Sequence, residues 1–151
     1  MADIDAWWNL DVVSCRSRVA LSLGETAYRL IPGVVNPGET VVFLHSAHGF
    51  SYEWVSLVKR LEDSQRRMLL VDMYGRGGSP WPPGASGSVE MFAKQVFDLL
   101  DVLDLLMDGQ TLILIGQGMG AAVAAAIAEE RPTAVSGMLL LSPTGVAQRE
   151  R

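Results

Sequence analysis

An α/β fold, with a mostly parallel sheet and helices on both faces, is what this 151-residue sequence predicts. Three observations carry that prediction. Residues 40–45, 68–72 and 111–115 contain unbroken apolar, mostly branched runs, as in strands buried on both faces. Segments of helical period lie between them, and strands alternating with amphipathic helices imply right-handed βαβ units and a parallel sheet. Glycine-rich or hydroxyl-bearing stretches follow the strands, at 45–50, 72–79, 116–120 and 142–145. In such sheets those carboxyl ends form the rim where ligands bind.

The chain begins with a lead-in, residues 1–16, whose Trp7 and Trp8 have no clear period and are expected to cap a core. Residues 17–23 alternate, with Val19, Leu21 and Leu23 on one face, which predicts a half-buried strand. Gly24-Glu25 predicts a tight turn and residues 26–31 a second strand, making a hairpin. Residues 32–38, rich in Gly, Pro and Asn, predict a surface loop. The strand at 40–45 and a loop at 46–51 follow. Trp54, Leu57, Val58 and Leu61 then share one face of a helix over 52–61. After the strand at 68–72 come the loops 73–79 and 81–88. A long helix carries Val89, Phe92, Val96, Leu99, Leu100, Leu103 and Leu106 on one face, with Ser88 as N-cap. The strand at 111–115, an alanine-rich helix to about Glu130 and a strand at 137–141 complete the series.

Composition sets bounds on function. About half the residues are apolar and a fifth are charged, enough for one domain with a sizeable core. A net charge of −5 and scattered basic residues argue against nucleic acid as a partner, since phosphate binding needs a basic patch. The one cysteine, Cys15, excludes an internal disulfide and fits a reducing compartment. No apolar run approaches the roughly 20 residues of a membrane span. The acidic start, Met-Ala-Asp-Ile-Asp, lacks the basic residues that open a signal peptide. The expectation is a soluble cytoplasmic protein without a metal or cofactor.

The most informative stretch is Ile115-Gly-Gln-Gly-Met-Gly-Ala121, a strand turning at once into a helix. Such a turn forces its central residue into a backbone region costly for any Cβ, and flanking glycines let helix and strand pack closely. Gly116, Gly118 and Ala121 also satisfy G-x-G-x-x-[GA], the dinucleotide-binding pattern. That pattern wants an acidic residue at the end of the next strand, where this chain has Ser142-Pro143-Thr144.

Three blocks in order make residues 17–145 resemble the α/β-hydrolase superfamily. They are Val41-Val-Phe-Leu-His-Ser46, Asp72-Met-Tyr-Gly-Arg-Gly-Gly-Ser79, and the glycine turn, which resembles the nucleophile elbow G-x-S-x-G. Ser46 stands where the family has glycine after histidine, and Gly118 stands where it has its serine. By resemblance, the elbow glycines are Gly116, Gly118 and Gly120, and the oxyanion-hole amides are those of Ala47 and Met119. Ser46, His48, Phe50 and Gln117 would line the pocket, and His45 is expected to be structural.

The resemblance also implies what the chain lacks. Acyl transfer needs a nucleophile, a base and a group that orients the base. Gly118 offers no nucleophile, Ser142-Pro143-Thr144 holds no carboxylate, and both histidines precede the elbow. The sequence stops at Arg151, after the sixth strand, so residues 17–151 are expected to form a single incomplete α/β-hydrolase-like domain. Its last strand should then be an exposed apolar edge beside an uncovered apolar patch. The functional expectation is a catalytically inactive binding or scaffold relative, with a small apolar ligand at the rim. An N-terminal half that self-associates or needs a partner chain is included in that reading. Two alternatives remain: half of a serine hydrolase whose nucleophile was replaced at Gly118, and a dinucleotide-binding module.

Overall fold

The structure is a computed structural model and describes residues 17–145; the lead-in with Trp7, Trp8 and Cys15 lies outside the described residues. Six strands form one sheet in the order β1-β2-β4-β3-β5-β6. They are β1 (Ser17–Ala20), β2 (Glu25–Ile31), β3 (Val35–Leu44), β4 (Arg66–Val71), β5 (Thr111–Gln117) and β6 (Val135–Leu141). From β4 to β6 the pairing is parallel, and the hairpin β1–β2 joins β4 antiparallel. Three helices connect them: α1 (Val55–Leu61), α2 (Val89–Val102) and α3 (Met119–Glu130). The predicted α/β class, mostly parallel with helices on both faces, is the observed one.

Alternate residues of each central strand feed opposite cores, which is why these runs have no polar side. Val42, Leu44, Leu69, Val71, Leu112 and Leu114 meet Phe92, Val96, Leu99 and Leu100 of α2 and Val123 and Ile127 of α3. Val41, Phe43, Met68 and Leu70 face the other way, against Trp54 and Val58. The rings of Phe43 and Trp54 lie 5.6 Å apart. Ser88 caps α2 as its sequence suggests, its hydroxyl accepting the Met91 N–H at 3.2 Å.

Ends of α1, β4, β5 and β6 differ from the sequence-based expectation by one to three residues, and three further boundaries depart for a local reason. β1 stops at Ala20 because Leu21 N–H bonds Gly24 O at 2.9 Å and begins the turn; Leu23 is left 45% exposed. The expected loop at 32–38 is partly strand, since β3 starts at Val35, opposite Arg66. A register shift before Thr40 accommodates Pro37, which has no N–H for a ladder. α2 ends at Val102, not near Leu106, because Asp104 turns left-handed at φ 54°. That turn buries Leu105, so the helical period read through the helix end was misleading there.

β6 is an edge strand. Met138, Leu139, Leu140 and Leu141 are 47%, 48%, 37% and 38% exposed. On the α1 side of the sheet, Val41, Leu61, Met68, Ile113 and Ile115 line an open groove of about 250 Å³. Among the described residues, no helix is long and apolar enough to cross a membrane.

Candidate functional site

β5 delivers the chain to Gly118, whose φ of 55° and ψ of −114° turn it directly into α3. The two flanking glycines have a different task. A Cβ on Gly120 would lie 2.1 Å from Leu44 O, and one on Gly116 would lie 2.4 Å from Gly120 O. They let the first turn of α3 sit against β3 and β5. Gly118 itself is in open surroundings: the nearest atom to a Cβ there is Ser46 Cβ, at 3.6 Å. Its N–H donates to Leu141 O at 2.9 Å, and its carbonyl accepts the N–H groups of Ala121 at 3.1 Å, Ala122 at 3.4 Å and Thr144 at 3.3 Å. The turn is thus built for a residue that a side chain would strain and space would admit.

The loop after β3 reaches over this elbow. His45 Nδ1–H donates to Ser46 O at 2.7 Å, and Gly49 N–H donates to the same oxygen at 3.2 Å. In a trans peptide the Ala47 N–H points opposite to that carbonyl. Glu53 holds Ser46 from the other side. Its Oε2 accepts the Ser46 N–H at 2.9 Å, and its Oε1 accepts the Ser46 hydroxyl proton. This approach needs Gly49, because a Cβ there would fall 1.6 Å from Glu53 Oε1. Arg76 Nε–H donates to Ala47 O, tying the loop to the one after β4. Among the described residues, neither the Ala47 N–H nor the Met119 N–H has a hydrogen-bond partner.

His45 is fully buried and joins two backbones: its Nε2 accepts the Met73 N–H at 2.9 Å. That arrangement is a neutral ring with its proton on Nδ1. Loss of solvation on burial pushes its pKa below the ordinary 6.5. Arg76 acts in the same direction, while Ser46 O and the charges of Asp72 and Glu53 oppose them. Its position matches the structural part expected for it.

The stretch from Asp72 to Ser79 is a clamp. Asp72 Oδ1 accepts the Ser51 N–H at 2.9 Å and Oδ2 accepts the Gly78 N–H at 2.8 Å. The Ser79 hydroxyl donates to Asp72 O and accepts the Ala27 N–H at 2.9 Å. Gly77 leaves room for the carboxylate, since a Cβ there would lie 2.2 Å from Oδ2. One buried carboxylate thus braces the loops after β3 and β4.

Of the residues singled out by sequence, Ser46 and Gly118 come together at this corner, with Ala47 and Met119 next to them in the chain. His48 is exposed and has no hydrogen bond among the described residues. Phe50 is 37% exposed, its ring 5.8 Å from that of Tyr52. Gln117 is half-buried at the end of β5. Sequence reading missed Glu53, Arg76 and the bracing part of Asp72. The glycine at 49, four residues before Glu53, was the available signal for the first. Among the described residues, no group of three or more His, Cys, Asp or Glu side chains could hold a metal ion.

A family model described as serine aminopeptidase, S33, matches residues 35–150, spanning all three blocks, the elbow among them. The chain belongs to this α/β-hydrolase family. Among curated relatives, the sn-1-specific diacylglycerol lipase ABHD11 of Mus musculus is 33% identical over 108 residues, covering 70% of this chain and 33% of that protein. Monoglyceride lipase of Mus musculus is 26% identical over 114 residues, covering 76% and 38%. An esterase from Exiguobacterium antarcticum superposes with a TM-score of 0.74 at 20% identity, over 89% of this chain and 48% of that one. The chain therefore spans a third to two fifths of the length of the curated relatives it matches.

Proposed function

We propose that this α/β-hydrolase family member is catalytically silent as the chain stands and uses the elbow corner to bind a small, fairly apolar carbonyl compound. One observation carries the reading: the nucleophile position is Gly118, while Ala47 and Met119 keep their N–H groups unpaired beside it. Buried or half-buried backbone donors without partners are costly, and a ligand oxygen would satisfy both. In a working hydrolase such donors stabilise a developing oxyanion; without a nucleophile they hold a ground-state carbonyl. The exposed Phe50–Tyr52 pair, on the same loop as Ala47 and the short helical turn that follows it, offers an apolar surface. Two relatives named as glyceride lipases support an acylated ligand by analogy.

The test is ester turnover with p-nitrophenyl butyrate by the natural chain and by Gly118→Ser. Neither is expected to exceed the buffer rate, because a hydroxyl at 118 has no histidine to take its proton. Turnover by the natural chain would overturn the reading.

A second reading has its own observation. The four exposed apolar residues that end β6 favour a second polypeptide segment along that edge, either another copy or a chain carrying the remaining catalytic groups. Under that reading, Gly118→Ser would regain turnover only when the partner is supplied. The dinucleotide alternative, through Gly116, Gly118 and Ala121, has less support, since helix–strand contact explains Gly116 and no acidic residue follows β6 in Ser142-Pro143-Thr144. It would require NAD or NADP to raise the melting temperature saturably.

A further inference from the structure

We infer that the elbow corner selects neutral carbonyl ligands over carboxylates, with Glu53 as the residue that sets this preference. The inference rests on the carbonyl-binding reading above and adds the ligand's charge. Backbone N–H donors alone would favour an anion, as amide nests and helix N-termini do. Here a carboxylate is held against the same loop. Glu53 spends both oxygens on Ser46, one residue before the Ala47 donor, and Ser46 in turn borders the elbow at Gly118. The absence of a side chain at Gly49 makes that placement possible. Glu53 is only partly exposed, so solvent does not fully screen its charge.

The other charges nearby do not cancel it. Arg76 is the cation, fixed on Ala47 O, and Asp72 is a second buried carboxylate below the loop. His45 is neutral between them. Two carboxylates, Glu53 and Asp72, thus stand against one cation, Arg76, on these loops. An incoming carboxylate meets two good donors inside a net negative surround, whereas an amide or ester carbonyl meets the donors without the repulsion.

Benzamide and benzoate share a ring suited to the Phe50–Tyr52 pair and differ in charge at pH 7. Each would be titrated into isotope-labelled protein at physiological ionic strength, following the Ala47 and Met119 amide resonances. Benzamide should shift both resonances, and benzoate should bind about fivefold more weakly, the scale of one partly screened charge a few ångströms away. Glu53→Gln can keep both bonds to Ser46, and it should close that gap. Glu129→Gln removes an equal charge at the exposed far end of α3, about 15 Å along the helix from Met119, and should leave the gap intact. Benzoate binding as well as benzamide, or a gap that survives Glu53→Gln, would overturn the inference while leaving the carbonyl site standing. If neither compound moves the two resonances, the carbonyl site itself is wrong, and the charge preference falls with it.

Discussion

His45 has no exposed surface and couples the loops after β3 and β4 through two backbone bonds. Its stability effect has a definite sign. The unfolded chain takes up a proton on this histidine near pH 6.5, whereas the buried ring resists it. Its contribution is therefore whole above pH 6.5 and is lost as pH falls below that value toward the folded pKa. Urea unfolding from pH 7.5 to 5 should show stability falling with acid by up to about 1.4 kcal/mol per pH unit from this group. His45→Ala should be less stable throughout and lose most of that slope. A slope unchanged in the variant would assign the acid sensitivity elsewhere.

At the scale of elements, the chain solves one problem repeatedly: bringing a backbone or carboxylate close without a Cβ in the way. Gly120 does so between α3 and β3, Gly49 under Glu53, and Gly77 at Asp72. The Asp72 clamp joins two loops that share no strand ladder. Asp72→Asn keeps the size but turns one acceptor into a donor facing a backbone N–H. The expected cost is about 2–4 kcal/mol by chemical denaturation, because a buried donor is left unpaired. A loss under 0.5 kcal/mol would mean the loops are braced by the remaining contacts. The elbow was legible from sequence because its glycines are consecutive with the strand and helix they join. The clamp was legible only as a pattern: Ser51 and Ala27, which it holds, lie 21 and 45 residues before Asp72.

At the scale of the whole molecule, the two edges of the sheet differ. β1 is four residues long and carries the Arg18–Glu25 ion pair, at 2.7 Å, where it meets β2. β6 is seven residues long, ends in four exposed apolar side chains and carries no charge. Short, charged edges resist pairing and long apolar ones invite it. Light scattering on the purified chain is expected to show species larger than a monomer. Leu139→Lys should shift them toward monomer with less than about 0.5 kcal/mol lost in stability, since Leu139 is 48% exposed. A natural chain already monomeric at high concentration would remove the support for the second reading.

Sequence by itself determined the class, the order of elements and the missing hydroxyl at 118. Apolar runs and helical periods are local, and a nucleophile is a property of one residue. It also suggested the amides of Ala47 and Met119 as donors, through the resemblance to the α/β-hydrolases and not through any local pattern. Boundaries shifted at Leu21, where a turn begins, and near Asn36 and Asp104, both left-handed, since periodicity registers neither a turn nor a change of backbone hand. Only the tertiary structure decided that Glu53 is folded back on Ser46, that Arg76 reaches Ala47, and that both donor amides are unpaired. Those facts depend on which loops meet above the sheet. A carboxylate on one turn and a glycine on another acquire a joint meaning only when the strands set them side by side.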